Sequence, residues 1–321
     1  MIFNRTKYNK MNTMRHNTGK MLALLFMTVA YSVQAQQDPT YSLFMYNGLA
    51  INPAVAGSAE TLSATALYRK QWAGIKGAPE TLTLNVDAPF WNKRVGLGLS
   101  VINDKIGVMQ NLNINALYAY RIRFETGTLS MGIQAGMNKF SADYSSVVTN
   151  PQNTTDNSFT ENTNHTVFNF GSGFYYYSEK FYAGISCPHF INQQLDGIKD
   201  TNGEQAHQYR HYFLTAGYVF DAGEMFKIKP STLVKIAEGA PLQVDINSNF
   251  WYDEKIGLGF SYRTNDSFTT SLQFQIDKFR IGYAYDLIVS SFKRYATGNN
   301  EIMVRFELAE KHKRVLTPRY F

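Results

Sequence analysis

Residues Asn111–Ile122 read NLNINALYAYRI, and the fold turns on how that stretch divides. Leu112, Ile114, Ala116, Tyr118, Tyr120 and Ile122 share one side, while Asn111, Asn113 and Asn115 open the other. A period of two is that of a β-strand, whose successive side chains point to opposite faces. The division recurs along the chain. Thr81–Asp87 (TLTLNVD) opposes Leu82, Leu84 and Val86 to Thr83, Asn85 and Asp87. Leu242–Phe250 opposes Leu242, Val244, Ile246 and Phe250 to Gln243, Asp245, Asn247 and Asn249. Ser271–Asp277 and Glu301–Leu308 follow suit, with Leu272, Phe274 and Ile276 in the first and Ile302, Val304, Phe306 and Leu308 in the second. Fourteen candidate strands result, near 62–72, 80–87, 94–103, 110–122, 128–140, 166–177, 181–186, 208–220, 226–237, 242–252, 255–264, 268–277, 279–287 and 300–308. No stretch carries helical spacing of any length, so the chain reads as an all-β antiparallel meander.

Alternation alone leaves two architectures open. In a soluble sandwich the apolar face packs inward. In a transmembrane barrel it meets lipid and the lumen is polar. Three features favour the barrel. Several strands reach the roughly 9–11 residues that a tilted membrane strand needs. Strand ends are rich in aromatics, as at Tyr118 and Tyr120, Phe174–Tyr177, Phe250–Tyr252, and Tyr283 and Tyr285, which suits the headgroup level. The connections also alternate in length. With the N-terminus in the periplasm, 141–165, 187–207 and 288–299 face outside. The short connections 88–93, 123–127, 178–180, 221–225, 253–254 and 278 face the periplasm. Two outer connections, 238–241 and 265–267, are short as well. Short periplasmic turns and an even strand count are expected of an outer-membrane barrel.

The formal charge of +6 resides mainly in the leader: Arg5, Lys7, Lys10, Arg15 and Lys20 are unaccompanied by any acid before residue 36. Without those five, 26 basic residues face 25 acidic ones, so no nucleic-acid partner is implied. The apolar run Met21–Val33 and the small residues Val33 and Ala35 predict a signal peptide, 1–35, cleaved after Ala35. Residues 36–60 do not alternate; this segment is expected inside the lumen as a plug or against the periplasmic rim. The barrel is expected over 61–308, with a periplasmic tail, 309–321. Pro230 should mark a bulge or strand start. Gly96, Gly98, Gly257, Gly259 and Gly282 fall on the lumen side, where they would ease curvature or admit a plug.

The residues offer little chemistry. Cys187 stands alone, so neither an intramolecular disulfide nor a multi-cysteine metal site is available. His207 and His211 are about 13 Å apart on an extended chain, too far to share an ion. Cys187 and His189 lack a third group to orient them. Asn153 and Asn164 match the Asn-x-Thr sequon but read as solvated loop in a bacterial protein. The lumen-side charges Asp245, Arg263, Arg280, Asp286, Arg305 and Glu307 read as ion pairs, or as a network that holds a plug or a partner segment. No catalytic, cofactor-binding or metal-binding residues are assigned, no enzyme activity is expected, and no partner-binding residues are identified.

An ordered set of short matches carries a family likeness. It begins with Gln37-Asp38-Pro39, Met45-Tyr46-Asn47 and Ile51-Asn52-Pro53-Ala54-Val55-Ala56-Gly57-Ser58. Tyr68-Arg69-Lys70-Gln71-Trp72, Gly77-Ala78-Pro79-Glu80-Thr81, Gly96-Leu97-Gly98 and Asn103-Asp104-Lys105-Ile106-Gly107 follow. Tyr182–Ser186, Pro188-His189, Arg210–Phe213, Lys229-Pro230-Ser231, Gly282–Asp286 and Glu301-Ile302 complete it. Together these resemble the PorP/SprF family of the type IX secretion and gliding apparatus of Bacteroidota. The family usually has His where Tyr68 stands. The resemblance implies an outer-membrane barrel, in a Gram-negative cell, that helps secrete or retain surface adhesins bearing a C-terminal sorting domain. It implies contact with outer-membrane lipid and with other secretion or gliding components at the periplasmic face. A passive or gated pore for small solutes is the competing expectation.

Overall fold

The computed structural model describes residues 39–143, 163–199, 205–238 and 240–308. The leader, the 309–321 tail and Asn153 with most of the 141–165 connection lie outside the described residues. The strands are β1 (Ser63–Lys70), β2 (Glu80–Phe90), β3 (Val95–Ile106), β4 (Met109–Phe124), β5 (Gly127–Ala142), β6 (Thr163–Tyr177), β7 (Phe181–Cys187), β8 (Gln193–Lys199) and β9 (Gln205–Gln208). They continue with β10 (His211–Tyr218), β11 (Phe220–Asp221), β12 (Phe226–Ala237), β13 (Gln243–Tyr252), β14 (Ile256–Arg263), β15 (Ser267–Ile276), β16 (Phe279–Ile288) and β17 (Asn299–Glu307).

Every ladder is antiparallel; each wall strand pairs with the next wall strand along the chain, β7 with β10 past the intervening β8 and β9, and β1 pairs with β17 from Ser63↔Glu307 to Lys70↔Asn300. That pairing closes the sheet. β11 continues the line of β10 along β12, so fourteen strands circle the wall. Closure gives each wall strand a partner on both sides, as lipid demands.

The alternation now has a direction. On β2 Leu82, Leu84 and Val86 are exposed, while Thr81, Thr83, Asn85 and Asp87 are buried. Leu84 is 45% exposed and its neighbour Asn85 only 4%. On β15 Phe268, Leu272 and Phe274 face out, and Ser267, Thr269, Ser271 and Gln273 face in. A soluble sandwich would bury the opposite set. Polar-in, apolar-out is the pattern of a membrane barrel, so the fourteen-strand reading of the sequence holds.

One end of the barrel carries tight turns. Asp253 and Glu254 sit at φ 47° and 52°, and Lys255 N–H closes that turn on the Tyr252 carbonyl at 3.0 Å. Two consecutive positive φ values match the right-handed twist of the flanking strands. The other end carries the longer connections, among them 71–79 and 289–298.

Two details differ from expectation. The 187–207 connection is not all loop: β8 and β9 form a separate two-stranded ladder there. Pro230 lies within β12, opposite Ser248 of β13, rather than at a strand start. Its missing N–H falls where the opposite ladder is interrupted. β10 pairs with β12 only from Ser231 onward, and β11 resumes at Ile228. Val219, in the gap, donates instead to the Lys180 carbonyl at 2.8 Å.

Candidate functional site

Eight-stranded barrels can be filled by wall side chains alone, whereas 16–18 strands leave a water channel. A fourteen-stranded wall therefore needs something else if its lumen is to be closed. Residues 41–59 lie within that lumen, packed against wall residues. They fold into three short turns, Phe44–Tyr46, Gly48–Ile51 and Pro53–Val55. Asn52 caps the last by accepting from Ala54 N–H at 2.9 Å, with Pro53 at the first helical position. Leu43, Phe44, Tyr46 and Ile51 are buried against Leu67, Tyr182, Phe213, Leu233, Trp251 and Met303 of the wall. Each such side chain contributes roughly 1.5–3 kcal/mol.

At the long-loop end the segment is held by charge. Arg69 of β1 bonds Asp286 of β16 at 2.7 Å and Glu301 of β17 at 2.8 Å, all three fully buried. Glu301 also accepts the backbone N–H groups of Ser42 and Leu43 at 2.9 and 2.7 Å. Ser42 Oγ donates to Asp286 at 2.6 Å and accepts from Arg69 at 2.9 Å. Asp286 takes two further bonds, from Thr269 and Asn299. Nearby, Arg263 pairs with Asp245 at 3.0 Å and donates to the Tyr41 carbonyl at 3.0 Å. A buried ion pair is tolerable only when its remaining valences are satisfied. Here the segment's own backbone and hydroxyl satisfy several of them.

Farther along the segment, Tyr46 donates to Gln273, which donates on to Asn249 at 2.8 Å. The Arg280 guanidinium lies between the Tyr46 and Trp251 rings, 5.1 and 5.0 Å from their centroids. Lys229 approaches Trp251 at 5.3 Å. Arg305 donates to the Tyr46 carbonyl at 3.3 Å and pairs with Glu307 at 2.7 Å.

Toward the short-turn end the segment touches the wall backbone to backbone. A Cβ on Gly96 would lie 1.9 Å from the Ala56 carbonyl oxygen, and one on Gly132 would lie 2.1 Å from Ala54 N. Neither position tolerates a side chain. Ser130 and Ser186 donate to the Ala54 and Ile51 carbonyls at 2.6 and 2.8 Å. Gly57 N–H donates to Asp87 at 2.7 Å, and Arg121 donates to the Gly57 carbonyl. Glu60 then meets Lys93 and Arg123 at 3.6 and 3.7 Å.

Of the lumen charges singled out in the sequence, Asp245, Arg263, Arg280 and Asp286 are buried, and Arg305 and Glu307 are partly so. The structure brings all six to the segment or to a partner that touches it. Arg69, Asp87, Arg121 and Glu301 were not singled out, although each falls on the polar side of its strand. The Cys187 thiol donates to the His189 backbone carbonyl at 3.3 Å. His211 is wholly buried. Among the described residues no group of three or more His, Cys, Asp or Glu could hold a metal ion.

A family model described as "Type IX secretion system membrane protein PorP/SprF" matches residues 33–306. No curated protein sequence matches the chain. Among solved structures the chain is similar to the CymD monoaromatic hydrocarbon channel, at 11% identity and TM-score 0.49, over 83% of this chain and 94% of that one. It is similar to the Pseudomonas putida toluene transporter TodX, at 10% identity and TM-score 0.46, over 82% and 93%. It is also similar to the Acinetobacter baumannii outer membrane protein Omp33, at 9% identity and TM-score 0.45, over 78% and 98%.

Proposed function

The chain belongs to the PorP/SprF family of type IX secretion system membrane proteins, and on that footing we propose that it helps to secrete or retain a surface adhesin rather than to pass small solutes. The observation that carries this reading is the occupied lumen. A solute pore needs a continuous aqueous path. Here residues 41–59 lie in the lumen and are fastened to β1, β2, β5, β7, β16 and β17 by the bonds described above. A closed barrel suits a protein that anchors or assists something too large to pass through it. The partners on this reading are an adhesin with a C-terminal sorting domain and other secretion components at the periplasmic face.

The orientation belongs to the same proposal. Short turns face the periplasm in outer-membrane barrels, so β1 starts and β17 ends on that side. Pro39 is different. It lies beside Asp104, Asn111, Lys235 and Gln243, near the long-loop end, so the segment crosses the lumen from the outer half to the periplasmic rim.

Deleting the gene and measuring adhesin on the cell surface tests the function. Loss of surface adhesin, with the other secretion components still present, is the expected result. Unchanged adhesin display and unchanged gliding would overturn it. Conductance in planar bilayers tests the competing pore: large, steady currents from the intact protein would favour that reading.

A further inference from the structure

Five cations gather where β1 and β17 close the wall, at the long-loop end. Lys70 ends β1 and bonds Glu80 of β2 at 2.8 Å, with both side chains nearly half exposed. Lys105 of β3 stands opposite Glu80 in the next ladder. By strand parity these residues point outward; Lys70 and Glu80 lie directly above Tyr68 and Leu82 of the lipid-facing band, and Lys105 lies above Asn103 and then Val101. The connections beyond are fastened to each other across the seam. The Trp72 and Phe292 rings meet at 4.6 Å, and Ala73 N–H donates to the Gly298 carbonyl at 2.9 Å. Gly107 N–H donates to the Gly77 carbonyl at 2.9 Å, tying in the β3–β4 turn. This platform carries Lys76, Lys293 and Arg294, all exposed. Lys76, Lys105, Lys293 and Arg294 form no salt bridge within the described residues.

We infer that this basic rim docks the phosphate groups of an anionic lipid in the leaflet that it faces. Whatever covers residues just above an apolar band lies at the headgroup level. Cations at a membrane surface draw anionic headgroups, and their bonds to phosphate are charge-assisted. Lys70 and Lys105 lie on the lipid side of the wall, not on the mouth of the lumen, which favours a lipid over an acidic protein arriving from above. On the orientation proposed above, on which this assignment rests, the lipid is a phosphorylated glycolipid of the outer leaflet.

The test uses the protein purified from an outer membrane and placed in nanodiscs of neutral phosphatidylcholine. Lipid A bearing two phosphates, or its dephosphorylated form, is added, and retained lipid is counted by native mass spectrometry. The phosphorylated form should be retained at least about tenfold more strongly. Replacing Lys76, Lys105, Lys293 and Arg294 together with Gln should abolish the preference. The single variants Lys105→Gln and Lys293→Gln should each weaken it by about fivefold, and Lys255→Gln with Lys278→Gln at the opposite rim should leave it intact. Equal retention of both lipids, or an unchanged preference in the fourfold variant, would overturn the inference. So would a fourfold variant that keeps its lipid but loses its adhesin, which would assign the rim to a protein. Retention in a symmetric bilayer does not depend on orientation, so its failure is distinct from failure of the orientation itself.

Discussion

Arg69 Nη1 and Glu301 Oε2 stand 2.8 Å apart across the seam where the barrel wall closes, and both side chains are sealed from solvent. The same carboxylate holds Ser42 and Leu43. One ion pair therefore joins the first strand, the last strand and the lumen segment.

Removing one member of such a pair leaves the other charge buried and uncompensated. Arg69→Met should destabilise the barrel by about 3–5 kcal/mol. Urea unfolding followed by tryptophan fluorescence in detergent micelles measures this; a midpoint equal to that of the parent protein would refute it.

The glycine contacts make a steric prediction. Gly96→Val puts side-chain atoms where the Ala56 carbonyl now lies. Gly96 faces the lumen within the β2–β3 and β3–β4 ladders. The segment should yield before the wall does. Heat-modifiable mobility on gels should persist, residues 41–59 should become open to protease, and bilayer conductance should rise. A variant with parental conductance and protease resistance would refute this.

The stacked cation gives a third prediction. Trp251 is 1% exposed and faces Arg280 and Lys229. Trp251→Ala should cost about 3–5 kcal/mol from lost packing alone. The Tyr46→Ala, Trp251→Ala double variant should lose less than the sum of the two single losses, because both rings flank one guanidinium. Strict additivity in the same unfolding assay would argue against the shared contact.

Orientation is checked by labelling intact cells. Tyr295 at the long-loop end is 72% exposed and Trp91 at the short-turn end is 79% exposed. The sole native thiol, Cys187, is buried. A membrane-impermeant maleimide should label Tyr295→Cys in whole cells and Trp91→Cys only after the outer membrane is breached. The reverse pattern would invert the proposed orientation and transfer the lipid site to the inner leaflet.

Much of the wall was legible in the sequence because a strand writes its two faces into alternate residues. Asn111–Ile122 shows this, and its strand, β4, needed only a few more residues at its ends. Which face met lipid was less legible, since Leu84 and Asn85 alternate in the same way in a sandwich; leader, aromatics and loop lengths had to decide it. Residues 36–60 gave no period because short turns packed on all sides have no single polar face. The pairing of Arg69 with Glu301 was invisible for another reason: the partners are 232 residues apart and meet only through closure. Pro230 misled because a missing N–H disrupts a strand only where a neighbour's carbonyl awaits it.

The seam also bears on how the molecule reaches its final form. Joining β1 to β17 means closing a chain loop of more than 200 residues, an entropic demand of about 5 kcal/mol from loop length alone. No local turn can assist, and contacts this remote in sequence form slowly. Ser42, however, lies only 27 residues from Arg69. The lumen segment and β1 can meet early and present a half-built socket, into which Glu301 fits when the last strand arrives. The ring would then zip shut around its own contents, and the piece that lies inside the finished barrel would also be the mould on which it was cast.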